Sequence, residues 1–310
     1  MAKFVVAIGG NALGNSPNEQ KEIVKKTAKN LVDFIIKGNE IIIVHGNGPQ
    51  VGMINNGFSE AHKVSDKNPI VDFPECGAMS QGYIGYHLQQ AIINELNNRK
   101  INKSVVSIVT QTVVDKKDNA FNNPTKPIGS FMEETEAKKL AKVNNWDVKE
   151  DAGRGWRRVI ASPKPIDIVE KEIINMLINN GVITISTGGG GVPVIKKGTL
   201  YHGVAAVIDK DFAAAKIATL VNADGLIILT AVDRVLINYQ KNNEKAIEKM
   251  TISEAKKYIS ENQFAPGSML PKVEATIKFV EDNKNKQAYI GSLEMVEKVL
   301  NGQSGTKIIS

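Results

Sequence analysis

Short apolar runs alternate along this chain with longer amphipathic stretches, and together they predict a repeating strand and helix order. Phe4-Val5-Val6-Ala7-Ile8 is rich in β-branched residues and too short for a helix. It reads as a buried strand, and it breaks on Gly9-Gly10-Asn11 instead of a charged loop. Ser16-Pro17-Asn18-Glu19 has capping-box spacing with proline at the first helical position, and Ile23, Val24, Thr27, Leu31, Phe34 and Ile35 follow at helical spacing until Lys37-Gly38-Asn39. Ile41 to Val44 reads as a second buried strand. It ends in His45-Gly46-Asn47-Gly48 with a helix starting behind it. Gly77 to Asn98 reads as a long helix and Val105 to Thr110 as a third strand.

From about Asp115 to Pro165 no hydrophobic period is sustained and prolines punctuate a polar texture. Residues 115–165 are therefore expected to form a protruding subdomain or lid outside the main sheet, with 1–114 and 166–310 as the main domain. Alternation then resumes. A helix to Asn180 stops at Gly181, and the strand Val182 to Ser186 runs into Gly188 to Gly191. Val207 to Phe212 leads into a helix to about Asn222, followed by the strand Leu226 to Leu229 and the segment Thr230-Ala231-Val232-Asp233. Thr251 to Glu254 opens a helix with capping-box spacing, another helix starts at Pro271, and Ala288 to Ile290 is a short strand. A helix ending at Gly302 and the run Thr306 to Ile309 finish the chain. The expected class is α/β, with a mostly parallel central sheet sandwiched between helices and a protruding lid.

Composition narrows the function more than the fold. With 310 residues, 42% hydrophobic and 23% charged, the chain has the make-up of an ordinary globular protein. No apolar run approaches the roughly 20 residues of a membrane span, and the N-terminus enters a strand without a signal peptide's cleavage region. The expectation is a cytoplasmic protein with no membrane partner. The single cysteine, Cys76, builds no disulfide framework, and it reads either as a small buried side chain or as a nucleophile. The net charge of +6 raises nucleic acid as a partner, but the lysines are interleaved with acids and aromatics are 5% of residues. The excess instead reads as solvated surface plus some lysines reserved for an anionic ligand. The four histidines lack His-x-x-x-His spacing, which argues against a zinc hydrolase.

Three of the strands end in glycine-rich turns: Gly9-Gly10, Gly46 to Gly48, and Gly188 to Gly191. Each is either a tight turn or a place where a ligand approaches the backbone, and successive glycine N–H groups favour anions. Neither a P-loop nor a dinucleotide-binding glycine motif is present, so an anion site here has another design. Three lysines sit beside residues that would restrict them: Lys126 between prolines, Lys210 between Asp209 and Asp211, and Lys272 just inside a helix start. Singly, each reads as a solvated charge; jointly they suit phosphoryl transfer, where aligned cations neutralise charge spreading over the transferring oxygens. Mg²⁺ bridging the donor's phosphates would add to that neutralisation. The aspartates either hold Lys210 or, for Asp211, cap a helix. Arg154, Arg157 and Arg158 with Trp156 either close over an anion or form an ion-pair knot around the tryptophan.

These segments, with Cys76 to Tyr83, Pro124-Thr125-Lys126-Pro127-Ile128-Gly129, Asp151 to Arg158 and Ser268-Met269-Leu270-Pro271-Lys272, resemble the carbamate kinases of the amino acid kinase superfamily over essentially the whole chain. The Pro-Thr-Lys-Pro and Gly-Arg-Gly-Trp-Arg-Arg stretches carry the resemblance most specifically. It implies ATP + carbamate ⇌ ADP + carbamoyl phosphate, run toward ATP as the last step of arginine fermentation, in a homodimer. It further implies that Gly9, Gly10, Asn11, Gly46, Asn47 and Gly48 form the phosphoryl and carbamate site. Lys126 would reach in from the protruding subdomain, Lys210 and Lys272 would flank the transferring group, and Asp211 would orient lysine. Asp209, Thr230, Ala231, Val232, Asp233, Gly267, Ser268 and Met269 are implied for the nucleotide, with Mg²⁺ held mainly by its phosphates and not ligated directly by protein. Two departures stand out: Leu270 where the family has glycine, so that its side chain either crowds the phosphates or points away, and Ile160-Ala161 where it has Val-Pro. The alternatives are a kinase of another carboxylate, such as acetylglutamate, and a non-catalytic nucleotide or phosphate sensor on the same fold.

Overall fold

A computed structural model describes residues 2–9, 16–144, 146–151, 153, 155–292 and 303–310. In chain order the elements are β1 (Lys3–Ile8), α1 (Pro17–Ile35), β2 (Glu40–His45), α2 (Gly48–Val64), α3 (Phe73–Asn98), β3 (Val105–Ser107) and β4 (Gln111–Val114). Next come β5 (Lys126–Met132), α4 (Glu134–Asn144), β6 (Asp147–Glu150), β7 (Trp156–Ile160), β8 (Pro165–Ile168), α5 (Lys171–Asn179) and β9 (Ile183–Ile185). Then follow β10 (Val192–Lys197), β11 (Leu200–Gly203), α6 (Lys210–Leu220), β12 (Gly225–Thr230), β13 (Val235–Ile237) and β14 (Lys245–Ile247). The last are β15 (Lys249–Thr251), α7 (Ile252–Ser260), α8 (Met269–Asp282), β16 (Gln287–Ser292) and β17 (Thr306–Ile309).

The main sheet has eight strands in the order β15-β17-β16-β12-β1-β2-β9-β3. Every pairing in it is parallel except β16 with β17, so the expected mostly parallel sheet is present. Its central strands are buried on both faces, which explains their unbroken apolar runs. Val5 and Ala7 of β1 point into one core with α5, α6 and α8, while Phe4, Val6 and Ile8 point into the other with α1 and α3. Each fully buried valine or isoleucine among them contributes roughly 1.5–3 kcal/mol. The C-terminal ends of the parallel strands lie along one edge, where ligands bind in open α/β sheets.

The capping boxes at Ser16/Glu19 and Thr251/Glu254 form as their spacing requires. Elsewhere tertiary contacts shift the boundaries. The helix expected from Gly77 starts at Phe73, because the Asp72 side chain accepts from the Phe73 N–H and Pro74 suits the first turn. The strand expected over 105–110 ends at Ser107: the Gln81 side chain pairs with both backbone groups of Thr110, whose carbonyl also accepts from the Val192 N–H of β10. The chain then crosses to a second sheet, β11-β10-β4-β8, which the sequence pattern did not reveal. The helix expected from Pro271 starts at Met269, with Pro271 in its first turn instead of at its start. The segment expected to end at Gly302 lies outside the described residues.

Residues 126–160 hold a separate antiparallel sheet, β5-β7-β6, with α4 beside it. The strands that flank this excursion, β4 and β8, pair with each other. It rests on the main body at α2: Gly129, at φ +70°, lies so close to Gly52 that a Cβ on Gly52 would stand 2.9 Å from the Gly129 backbone. Ile128 and Ile160 complete the seal, packing with Val51, Phe73, Cys76 and Val207.

Candidate active site

Two aspartates at the start of α6 sort three lysines. Asp209 is the N-cap, its Oδ1 accepting from the Asp211 N–H at 2.9 Å, while its Oδ2 accepts from Lys126 Nζ at 2.7 Å. Asp211, in the first turn and buried, accepts from Lys210 Nζ at 2.5 Å and from Lys272 Nζ at 2.9 Å. The sequence left open whether Asp211 caps the helix or holds lysine. The cap is Asp209, and Asp211 holds two lysines, not one.

The electrostatics follow from this pairing. Burial alone would raise the Asp209 carboxyl, but Lys126, Lys210 and the Asp211 N–H together hold it well below the usual carboxylate range. Burial pulls the Lys210 ammonium below its ordinary value, with Lys272 adding to that pull and Asp211 and Asp209 opposing it. Three cations face two anions, which leaves a surplus positive charge at the cavity they line.

That cavity is about 240 Å³, and its wall includes Gly46, Asn47, Gly48, Lys126, Asp209, Lys210, Asp211, Gly267, Ser268 and Lys272. Ten residues read as site candidates from sequence thus meet in one place. They come from the C-terminal end of β2, the first residue of β5, and the N-terminal ends of α2, α6 and α8. Three helix starts directed at one space bring partial positive charge to it. A Cβ on Gly48 would meet nothing within 4 Å, so its backbone borders open space.

Other candidates stand elsewhere. Gly9 lies at the end of β1 against the Leu229 carbonyl, while Gly10 and Asn11 are outside the described residues. Thr230 closes β12 on the same sheet edge, with Ala231, Val232 and Asp233 just past it, but none of the four lines the cavity. Met269 and Leu270 both pack on the core beneath α8. Leu270 therefore points away from the cavity, which answers the question raised by its departure from the family pattern.

The glycine cluster at 188–191 serves the protein's own packing more than an incoming ligand. Gly189, Gly190 and Gly191 all have positive φ, and added Cβ atoms would stand 2.0 Å from Asn47 Nδ2, 2.4 Å from the Ile208 carbonyl oxygen and 2.1 Å from Thr112 Oγ1 respectively. A Cβ on Gly188 would stand 2.3 Å from His45 Nε2. Of the four, only Gly189 is also in the cavity wall. Gly189 and Ser80, which donates to the Gly77 carbonyl at 2.7 Å and receives Asn47 Nδ2 at 2.9 Å, shape the site without having been singled out as site residues. The sequence signal for Gly189 was its place in the glycine-rich turn at 188–191, and that for Ser80 only its place in the Cys76 to Tyr83 stretch that carries the family resemblance.

The arginines form a knot, though not around Trp156. Arg158 lies over Trp146 and Phe73, with its guanidinium carbon 4.4 and 4.8 Å from the ring centres. Arg157 lies over Phe131 and binds the Gly129 carbonyl and Asp151. Trp156 is instead covered by Lys138. Arg154 lies outside the described residues. Cys76 is buried in the seam beneath the excursion, and burial pushes its thiol up, away from thiolate reactivity.

A sheet of this order, with strand ends, helix starts and paired lysines converging on one cavity, has the architecture of a small-molecule kinase. The chain belongs to the amino acid kinase family, whose model matches residues 2–292. It is 54% identical over 312 residues to the carbamate kinase of Clostridium perfringens, covering 99% of each chain. It is 53% identical to carbamate kinase 3 of Staphylococcus aureus, again covering 99% of each. Its fold superposes on the carbamate kinase of Giardia lamblia bound to AMP-PNP with a TM-score of 0.91 at 42% identity, covering 99% of this chain and 98% of that one.

Proposed function

We propose that this protein is a carbamate kinase that interconverts ATP + carbamate and ADP + carbamoyl phosphate. The observation that carries the reading is the cavity in which Lys126, Lys210 and Lys272 are fixed by Asp209 and Asp211. In the direction of ATP synthesis, a β-phosphate oxygen of ADP attacks phosphorus. The bond from phosphorus to the carbamoyl oxygen breaks, and carbamate leaves with the electron pair. Charge then spreads over the equatorial oxygens and the leaving carboxylate. Lys210 and Lys272, held on opposite oxygens of one carboxylate, are placed to neutralise it without reorganising. Lys126 approaches from the excursion, and the N–H groups around Gly46 to Gly48 suit the carbamoyl side.

In this reading residues 115–165 act as a lid that carries Lys126 to the substrate, and Gly267 and Ser268 meet the nucleotide's phosphates. Both carboxylates in the wall are engaged by lysines, so Mg²⁺ accompanying the nucleotide would be held mainly by the phosphates, adding charge neutralisation. Thr230 to Asp233 and Met269 would border the adenosine end. The enzyme would work in the cytoplasm, where it finds ADP, as the last step of arginine fermentation. The mixed anhydride it consumes is a strong enough phosphoryl donor to drive ATP formation. A homodimer fits the end of the main sheet, where β3 is the last strand and Tyr86 and Val109 are exposed beside a groove on α3.

The test is ATP formation from ADP, Mg²⁺ and carbamoyl phosphate, run in parallel with acetylglutamyl phosphate and with Lys272→Ala as control. Selective use of carbamoyl phosphate, lost in the variant, is the expected result. ADP binding with neither donor used would favour a sensor on the same fold.

A further inference from the structure

Asn47 occupies the N-cap position of α2 yet makes no capping hydrogen bond with its side chain. Asparagine is favoured at such positions because its oxygen accepts from the first free N–H groups of the helix. Here the amide is turned elsewhere, lying over Gly189 and donating Nδ2 to Ser80 Oγ at 2.9 Å. Ser80 is fully buried in α3, and its hydroxyl donates to the Gly77 carbonyl at 2.7 Å. A hydroxyl has one proton. With that proton on Gly77, Ser80 Oγ only accepts from Asn47, so the group facing it must be the NH₂. The carbonyl oxygen Oδ1 is then left as the acceptor of a side chain that belongs to the cavity wall.

We infer that Asn47 Oδ1 accepts an N–H of the carbamoyl group, and that Ser80 is the positioning residue that keeps this acceptor turned toward the substrate. The inference rests on the carbamate kinase reading and deepens it by naming what selects the substrate. Among the described residues of the wall, the lysines only donate, the two carboxylates are held by those lysines, and the remaining hydroxyl, Ser268, is exposed at the start of α8. Such groups suit phosphoryl and carboxyl oxygens better than they suit an amino group. Carbamate and acetate share size and charge and differ in NH₂ against CH₃. A cavity of donors alone would treat them alike, whereas an oriented acceptor leaves the methyl facing an unpaired carbonyl.

The experiment compares kcat/KM for carbamoyl phosphate and acetyl phosphate, each with ADP, in the wild type and in Asn47→Ala, Ser80→Ala and Ser80→Thr. The ratio of the two donors is internal to each preparation, so a partly misfolded variant still reports it. Asn47→Ala is expected to cut the preference for carbamoyl phosphate about tenfold, and Ser80→Ala about threefold, through a raised KM for carbamoyl phosphate with the KM for ADP unchanged. Ser80→Thr, which keeps the hydroxyl, should hold the wild-type ratio. An unchanged ratio in both alanine variants would overturn the assignment while leaving the carbamate kinase reading intact. No ATP from carbamoyl phosphate in the wild type would overturn both.

Discussion

Lys126 Nζ and Asp209 Oδ2 meet at 2.7 Å across 83 residues of sequence, tying the first residue of β5 to the cap of α6. The contact places a lysine of the three-stranded excursion beside the two that Asp211 holds. In the proposed reaction Lys126 meets the transferring group and not the adenosine end of the nucleotide. Lys126→Ala should therefore lower kcat by roughly 10²–10³ while changing the dissociation constant of ADP less than threefold. Steady-state kinetics with a separate ADP binding titration checks this, and equal losses in both would show that Lys126 is misplaced in this account.

Asp211 is a second point of leverage. Its side chain is 3% exposed and lies between two ammonium groups that are themselves largely buried. Asp211→Asn leaves those cations facing each other without the carboxylate they share, which should cost about 3–5 kcal/mol of stability and abolish turnover. Removing one cation as well, in Asp211→Asn/Lys210→Met, should recover part of the stability and none of the activity. Urea denaturation of the four proteins in that cycle measures the coupling, and strict additivity would contradict it.

Acid should weaken the fold through His45. Burial lowers its imidazole from 6.5 to about 4, opposed by the contact with the Gly46 carbonyl. The unfolded chain thus binds the proton between those values and the folded one does not. This contribution is fully present above pH 6.5 and fades as pH falls toward 4, amounting to about 2 kcal/mol lost by pH 5. His87, also lowered by burial, changes in the same direction. His45→Gln should accordingly show a shallower fall in Tm between pH 7.5 and 5 than the wild type, and parallel curves would argue against the assignment.

Leu270 gives the opposite kind of prediction. Because it packs on the core beneath α8, Leu270→Gly should cost about 2 kcal/mol through lost burial and helix propensity. ADP affinity, followed by isothermal titration, should stay within about twofold of the wild type. A marked gain in affinity would mean that the leucine does crowd the phosphates.

Strands and helices whose signals are local were legible in the order of amino acids alone. Phe4 to Ile8 and Ile41 to Val44 are unbroken apolar runs because both faces of those strands are buried. Ser16 and Thr251 open helices because their caps need only the next three residues. That order also marked Lys126, Lys210 and Lys272 as lysines set among restricting residues. Which carboxylate each lysine meets emerged with the folded chain, because Lys126 and Asp209, like Lys272 and Asp211, are neighbours in space and not in sequence. The fold decided as well that the glycines at 188–191 make room for His45, Asn47, Ile208 and Thr112, since a glycine records a missing side chain but not what fills the space. The role of Ser80 was illegible for the same reason. A buried hydroxyl on a helix looks like any other until the one proton it carries is traced to Gly77 and the amide it then receives to Asn47.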